Sequence, residues 1–245
     1  MKLTNLTTDV ITYSITAVID SALCIGAGGS SGSLADKSVV RNAAGQLIIP
    51  GSHLKGRLRH ECEKLARALQ LPVSESPNPG LMMQTSNCVI SAIFGNPVTA
   101  SRLTIDDLIC RTPRESLPSE VTTSRPMIDD LICRTSRESL PPEVIRPGVT
   151  INRRRGTAED EKLYFLETSP PNLALELVGQ IHLIQPPDYA VPLILAGLKH
   201  ISALGSSKSA GLGWLSWQFP PELTINRSHS GWTALGFRAL AGGPL

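Results

Sequence analysis

Leu47-Ile-Ile-Pro-Gly-Ser-His-Leu-Lys-Gly-Arg-Leu-Arg59 is the stretch where an apolar run stops and a helical pattern begins. Leu47, Ile48 and Ile49 are an apolar run that ends at Pro50. Ser52 is placed as the N-cap of a helix over residues 53–71, since its hydroxyl can accept from the orphan N–H groups of a first turn. Leu54, Leu58, Cys62, Leu65 and Leu69 recur at three- and four-residue steps and give that helix an apolar stripe. The other faces carry Lys55, Arg57, Arg59, Lys64 and Arg67 against only Glu61 and Glu63. An apolar run thus leads directly into a basic amphipathic helix.

Working outward, Ile11, Tyr13, Ile15, Ala17 and Ile19 alternate with mostly polar neighbours, the period of a half-buried strand. Residues 26–33 form a glycine-serine loop, followed by Asp36, a turn at Ala44 and Gly45, and the quoted block. Downstream, residues 72–87 hold three prolines and no periodicity, so they read as a loop closed by a short apolar segment over 88–95. Residues 98–120 then recur as 121–143, with 18 of 23 aligned positions identical. Two copies are too few for a solenoid. The reading is a tandem duplication in a surface insertion, where extra length costs little. Pro126 replaces Leu103 in the second copy, which argues against a central strand there.

Beyond the duplication, residues 146–156 lead into an expected turn at Glu159-Asp-Glu161 and a strand over 163–167. A further strand is expected over 172–183, a short helix over 192–201, a second glycine-serine loop over 205–213, and a strand over 214–219. The order of elements predicts an α+β fold with an inserted hairpin.

The chain has 245 residues, with 23 Lys and Arg against 21 Asp and Glu, a formal net charge of +2. That balance excludes a uniformly basic nucleic-acid coat and confines any such site to a local patch. A mean hydropathy of +0.03 excludes wholesale disorder. No apolar stretch reaches the ~18 residues of a membrane-spanning helix, and the first residues lack a signal-peptide core. A cytoplasmic protein with no membrane partner is expected. Five cysteines without a C-x-x-C pair agree with reduced thiols.

Several groups invite chemical readings. The first glycine loop has Ser31 where a dinucleotide fingerprint needs glycine, and no phosphate-binding P-loop occurs. Asp36 is a lone carboxylate, suited to act as a base, to orient a ribose hydroxyl or to hold a hydrated Mg²⁺ or other divalent cation, and equally to cap a turn. Lys208 lies among backbone N–H groups of the second loop, a phosphate cradle or a connector. His60, Cys62 and Cys88, with Cys110, are the zinc-like set. A structural zinc site wants a close cysteine pair, and the partner position of Cys88 is Ser91, so core residues are the favoured reading.

The succession of segments carries a family resemblance. Leu47 to Arg59 is followed by Ala92-Ile-Phe-Gly95, Ser101-Arg-Leu-Thr-Ile-Asp106, Gly148-Val-Thr-Ile-Asn-Arg-Arg-Arg-Gly-Thr157 and Leu204-Gly-Ser-Ser-Lys-Ser-Ala-Gly-Leu-Gly213. Over about residues 11–219 this resembles the RAMP superfamily of CRISPR proteins. Within it, the likeness is to the repeating backbone subunit (the Cas seven family) of type III effector complexes. The resemblance implies a modified RNA-recognition, ferredoxin-like fold with an inserted thumb hairpin and a glycine-rich C-terminal loop. It divides the chain into a core over 1–97 and 148–219, a thumb insertion over 98–147 and a tail over 220–245.

It also implies guide RNA, target RNA and neighbouring effector subunits as partners. Asp36 falls where active members carry the aspartate that cuts target RNA. Ser52, His53, Lys55, Arg57 and Arg59, with Gly205, Ser206, Ser207, Lys208 and Gly211, fall where guide phosphates are held. Arg153, Arg154 and Arg155 fall on the thumb, facing target RNA. Asn152 stands where aspartate is common. The alternatives are a non-catalytic guide-binding subunit and a guide-processing endoribonuclease, for which His53 is the nearest histidine.

Overall fold

Alternation in β1 (Val10–Ile19) sets the two faces of the main sheet: Ile15, Ala17 and Ile19 are buried while Thr12 and Ser14 are exposed. The computed structural model describes residues 10–26, 38–82, 87–111, 144–171 and 173–221. After β1 come β2 (Ile48–Ile49), α1 (Gly51–Ala68), α2 (Pro79–Met82) and α3 (Val89–Phe94). Then follow β3 (Leu103–Ile105), β4 (Leu108–Cys110), β5 (Val144–Asn152), β6 (Thr157–Thr168) and β7 (Leu175–Ile184). The described chain closes with α4 (Ala190–His200), a single 3-10 turn (Lys208–Ala210) and β8 (Leu215–Gln218).

The main sheet runs β2-β4-β7-β1-β8, with β3 also paired to β7, and every pairing is antiparallel. β3 and β4 are one edge interrupted at Asp106 and Asp107, since the Asp106 N–H still donates to the Gln180 carbonyl at 3.0 Å. Leaving out β2 and the inserted elements, the order is β1-α1-β3/4-β7-α4-β8, the β-α-β-β-α-β arrangement of a split βαβ unit. The fold is therefore α+β. Helices α1, α3 and α4 cover one face, with Leu54, Leu58, Leu193 and Leu198 buried against Ile15, Leu177 and Ile181. Full burial of each leucine stabilises the fold by about 1.5–3 kcal/mol. The opposite face is polar, where His182 bridges Thr12 on β1 (2.9 Å) and Asp106 (3.0 Å).

The first helix differs from its expectation at both ends. It starts at Gly51, with Pro50 at the cap position and Ser52 already inside the first turn. The cap comes from a distant carboxylate: the Gly51 N–H donates to Asp107 Oδ1 at 2.8 Å. A Cβ on residue 51 would overlap the Ile105 carbonyl, so glycine lets the helix end touch the sheet edge. The helix stops three residues early because Gln70 turns left-handed (φ 57°), with Gln70 N–H bonded to Arg67 and Leu71 N–H to Ala66. That is a Schellman stop.

β5 and β6 pair only with each other. Their turn is Arg153 to Gly156, not the acidic Glu159-Asp-Glu161 expected from sequence. Asn152 Oδ1 accepts from the N–H groups of Arg154 (3.0 Å) and Arg155 (3.2 Å), and Gly156 takes φ 67°. The acidic residues instead fall at a register shift within β6, where pairing passes from Ile151↔Ala158 to Val149↔Leu163. The second repeat copy, the end of the first and the tail beyond residue 221 lie outside the described residues, whereas β3 and β4 of the first copy belong to the main sheet. No helix among the described residues is long and apolar enough to cross a membrane.

Candidate nucleic-acid interface

Ser52, His53, Gly56, Arg57 and His60 share one face of α1, because residues three and four apart stack along a helix. Opposite them stand Leu204 and Lys208 from the loop after α4, and the two sides line an open cleft of about 540 Å³. That loop is fastened by its backbone. Ser206 N–H and Oγ both donate to the Cys24 carbonyl (2.8 and 3.1 Å), Gly213 N–H donates to Ala22 (2.9 Å), and Leu204 N–H donates to Gly213 (2.9 Å). Gly213 takes φ 73°, and a Cβ there would overlap the Leu204 carbonyl. Lys208 rides the 3-10 turn between left-handed Ser207 and Gly211, its Nζ donating to the Gly205 carbonyl at 3.4 Å.

The cleft holds two permanent cations. Arg57 Nη2 lies 2.9 Å from Glu61 Oε1, while Arg57 Nε is buried with no partner among the described residues. A partly exposed guanidinium facing a lysine across a cleft is a donor set suited to phosphate oxygens. Burial, then the charges of Lys208 and Arg57, holds the His53 imidazole below its ordinary 6.5. At neutral pH His53 is thus an uncharged hydrogen-bonding group between two cations.

The described residues on either side of the first glycine-rich stretch, Ile25 and Gly26 before it and Val39 and Val40 after it, meet near the same place. Gly26 bridges Val39, Val40 N–H donates to Ile25 (3.0 Å), and Val39 N–H donates to Glu167 Oε2 (3.0 Å). The stems of loop 27–37 therefore adjoin Cys24, the residue to which Ser206 is bonded. Asp36 itself lies outside the described residues.

Lys55 and Arg59 are not brought to the cleft. Two residues on from 53 and 57, they point about 200° away around the helix. Lys55 Nζ donates to Ser101 Oγ and the Leu103 carbonyl, both at 2.8 Å. Arg59 pairs with Glu63 (3.1 Å) and donates to the Gly95 carbonyl (3.1 Å). Both tie α1 to the α3–β3 connection. Arg153, Arg154 and Arg155 stand apart at the exposed hairpin tip.

The zinc candidates also diverge. His60 lines the cleft, whereas Cys62 faces the core, where its Sγ donates to the Leu193 carbonyl (3.5 Å) and burial, then Glu61 and Glu63, push its thiol up. Cys88 caps α3, accepting from the N–H groups of Ser74 (3.2 Å) and Ser91 (3.4 Å). Burial pushes its thiol up, but bonds from Ser74 and Ser91 outweigh this and bring it to about 7. Cys110 is buried on β4. Among the described residues no three His, Cys, Asp or Glu side chains gather as a metal site.

Sequence reasoning did not foresee His60 as a cleft residue, though its three-residue step from Arg57 carried the signal. The Asp107 cap had no local signal, being 56 residues from Gly51.

A β-α-β-β-α-β core bearing a cation-lined cleft defines an α+β protein of ferredoxin-like type. Residues 16–216 match the family profile of the RAMP superfamily, and the chain belongs to that superfamily. The family is one of CRISPR-associated RNA-binding proteins that assemble with other CRISPR subunits, and some members are endoribonucleases. A comparison with curated proteins finds no match.

Proposed function

We propose that this chain is a guide-RNA-binding backbone subunit of a type III CRISPR effector complex, acting in the cytoplasm and cleaving guide-paired target RNA through Asp36. The observation that carries the reading is the pairing of Arg57 and Lys208 across one cleft, with the Lys208 turn bonded through Ser206 to Cys24, which shortly precedes the segment that contains Asp36. Such cations and backbone donors bind phosphates without regard to sequence and leave selection to base pairing. Gly205, Ser206, Ser207 and Gly211 shape the loop that presents Lys208. The β5–β6 hairpin is the proposed thumb, with Arg153, Arg154 and Arg155 meeting target RNA. On this reading the core runs through β4, and the insertion holds the rest of the duplication.

A wedge that splays one target nucleotide sets its 2′-hydroxyl in line with the adjacent phosphorus. Asp36 orients that hydroxyl or accepts its proton while the 5′-oxygen leaves. A divalent cation at Asp36 is part of the proposal, checked by chelation. The deciding experiment compares a reconstituted complex with its Asp36→Ala variant on guide-matched RNA. Loss of cutting with guide binding and assembly intact is expected. Equal cutting by the variant overturns the catalytic assignment, and target protected without fragmentation by the wild type points to a purely binding subunit.

A second reading, guide processing, draws support from one observation: uncharged His53 shares the cleft with His60 and Lys208. Cleavage of precursor repeat RNA by the isolated chain, lost in His53→Ala, would establish it.

A further inference from the structure

Glu61 is a charged side chain only 1% exposed, and sequence reading treats it merely as a counterweight to the basic helix. In the structure its Oε1 lies 2.9 Å from Arg57 Nη2 and 3.1 Å from Lys64 Nζ, and its Oε2 lies 2.6 Å from His200 Nδ1. Burial raises its carboxyl, but the bonds from His200 and Lys64 and the charges of Arg57 and Lys64 outweigh this and keep it ionised. Of these partners, only Arg57 lines the cleft. We infer that Glu61 is a positioning residue: it clamps one edge of the Arg57 guanidinium and so presents the remainder to RNA phosphate in the cleft. The inference rests on the cleft being the RNA site proposed above.

The physical case has three parts. An unclamped arginine loses side-chain freedom when it binds, and a buried partner removes that loss beforehand. The carboxylate does not cancel the cationic field of the cleft, because Lys208, bonded through Nζ to the uncharged Gly205 carbonyl, stands across from Arg57. Lastly, the clamped Arg57 side chain lines the cleft and stays 31% exposed, so the guanidinium is held in place yet open to a phosphate entering there.

The test is a double-mutant cycle on the full chain, binding a single-stranded RNA oligomer at several salt concentrations, with urea unfolding recorded for each variant. Arg57→Ala is expected to flatten the salt slope by about 0.7, one phosphate contact. Glu61→Gln is expected to weaken binding in the same direction, and to add nothing when Arg57 is already alanine. Lys64→Ala, which removes another Glu61 partner outside the cleft, is expected to leave the slope unchanged. An Arg57→Ala variant that binds like wild type overturns the cleft as the RNA site. A normal Arg57→Ala loss with Glu61→Gln either at wild-type affinity or additive in the double variant overturns the positioning role alone. If Glu61→Gln does not fold, Glu61→Asp replaces it in the cycle. That variant keeps the charge and shortens the reach by one methylene, so a smaller loss, again absent beside Arg57→Ala, is expected, and wild-type affinity refutes the inference.

Discussion

Replacing Lys208 with alanine removes one of two permanent cations from the cleft while leaving the loop's backbone anchors at Cys24 and Ala22 in place. Binding of single-stranded nucleic acid loses about 0.7 in its log–log salt slope for each phosphate contact given up. Arg57 and Lys208 together account for a slope of about −1.4, which between 50 and 200 mM salt is an affinity loss of about 7-fold. Lys208→Ala is expected to halve that share, to about 2.6-fold over the same interval, and to bind more weakly at low salt than at high salt relative to wild type. Fluorescence anisotropy with a labelled RNA oligomer across that salt range reads both numbers. His53 does not enter the sum near neutral pH, because its imidazole is held below 6.5. An unchanged slope in Lys208→Ala, with the protein folded, refutes the reasoning that the cleft is where phosphates are held.

Acidification adds cations from the cleft histidines: as pH falls through the depressed His53 value, that residue is expected to steepen the wild-type salt slope by about 0.7, and His53→Gln to remove that share. Asp107→Ala removes the carboxylate that accepts from Gly51 N–H, and is expected to cost about 1 kcal/mol in urea unfolding with the slope unchanged. Cys88 has a folded thiol value of about 7 against an ordinary 9.0, so the native state favours its thiolate. Its contribution is therefore complete above pH 9 and is lost as pH falls through about 7, so stability is expected to rise between those limits in reductant. Cys88→Ala is expected to flatten that rise, read as urea midpoints at pH 7 and 9.

The elements most readable from sequence were those with a strong period. The stripe of Leu54, Leu58 and Cys62 located α1, and the alternation from Ile11 to Ile19 located β1, because burial on one face imposes the same period on the chain. The helix boundaries were less legible. Ser52 is a residue type favoured at a cap, yet Asp107 took the role from across the sheet. The acidic run after Gly156 looked like a turn by composition. Asn152 closed the hairpin earlier by accepting two N–H groups at its tip. For the candidate site, Ser52, His53, Arg57 and Lys208 were named from sequence and the structure gathers them, but it sends Lys55 and Arg59 to the far side of the same helix. A charge count treats Lys55, Arg57 and Arg59 alike, and only the helical angle separates them.

Taken by itself, the amino-acid order determined that this is an α+β chain with a basic first helix and a tandem duplication, since periodicity and self-similarity are written residue by residue. Which cations face a common space, which carboxylate caps the helix, and which histidine meets the buried Glu61 were decided only by tertiary structure. Each of those depends on groups distant in sequence, such as Gly51 with Asp107 or Glu61 with His200. Their proximity is fixed by the packing of α1 against the sheet edge and α4, and no local stretch of chain contains that information.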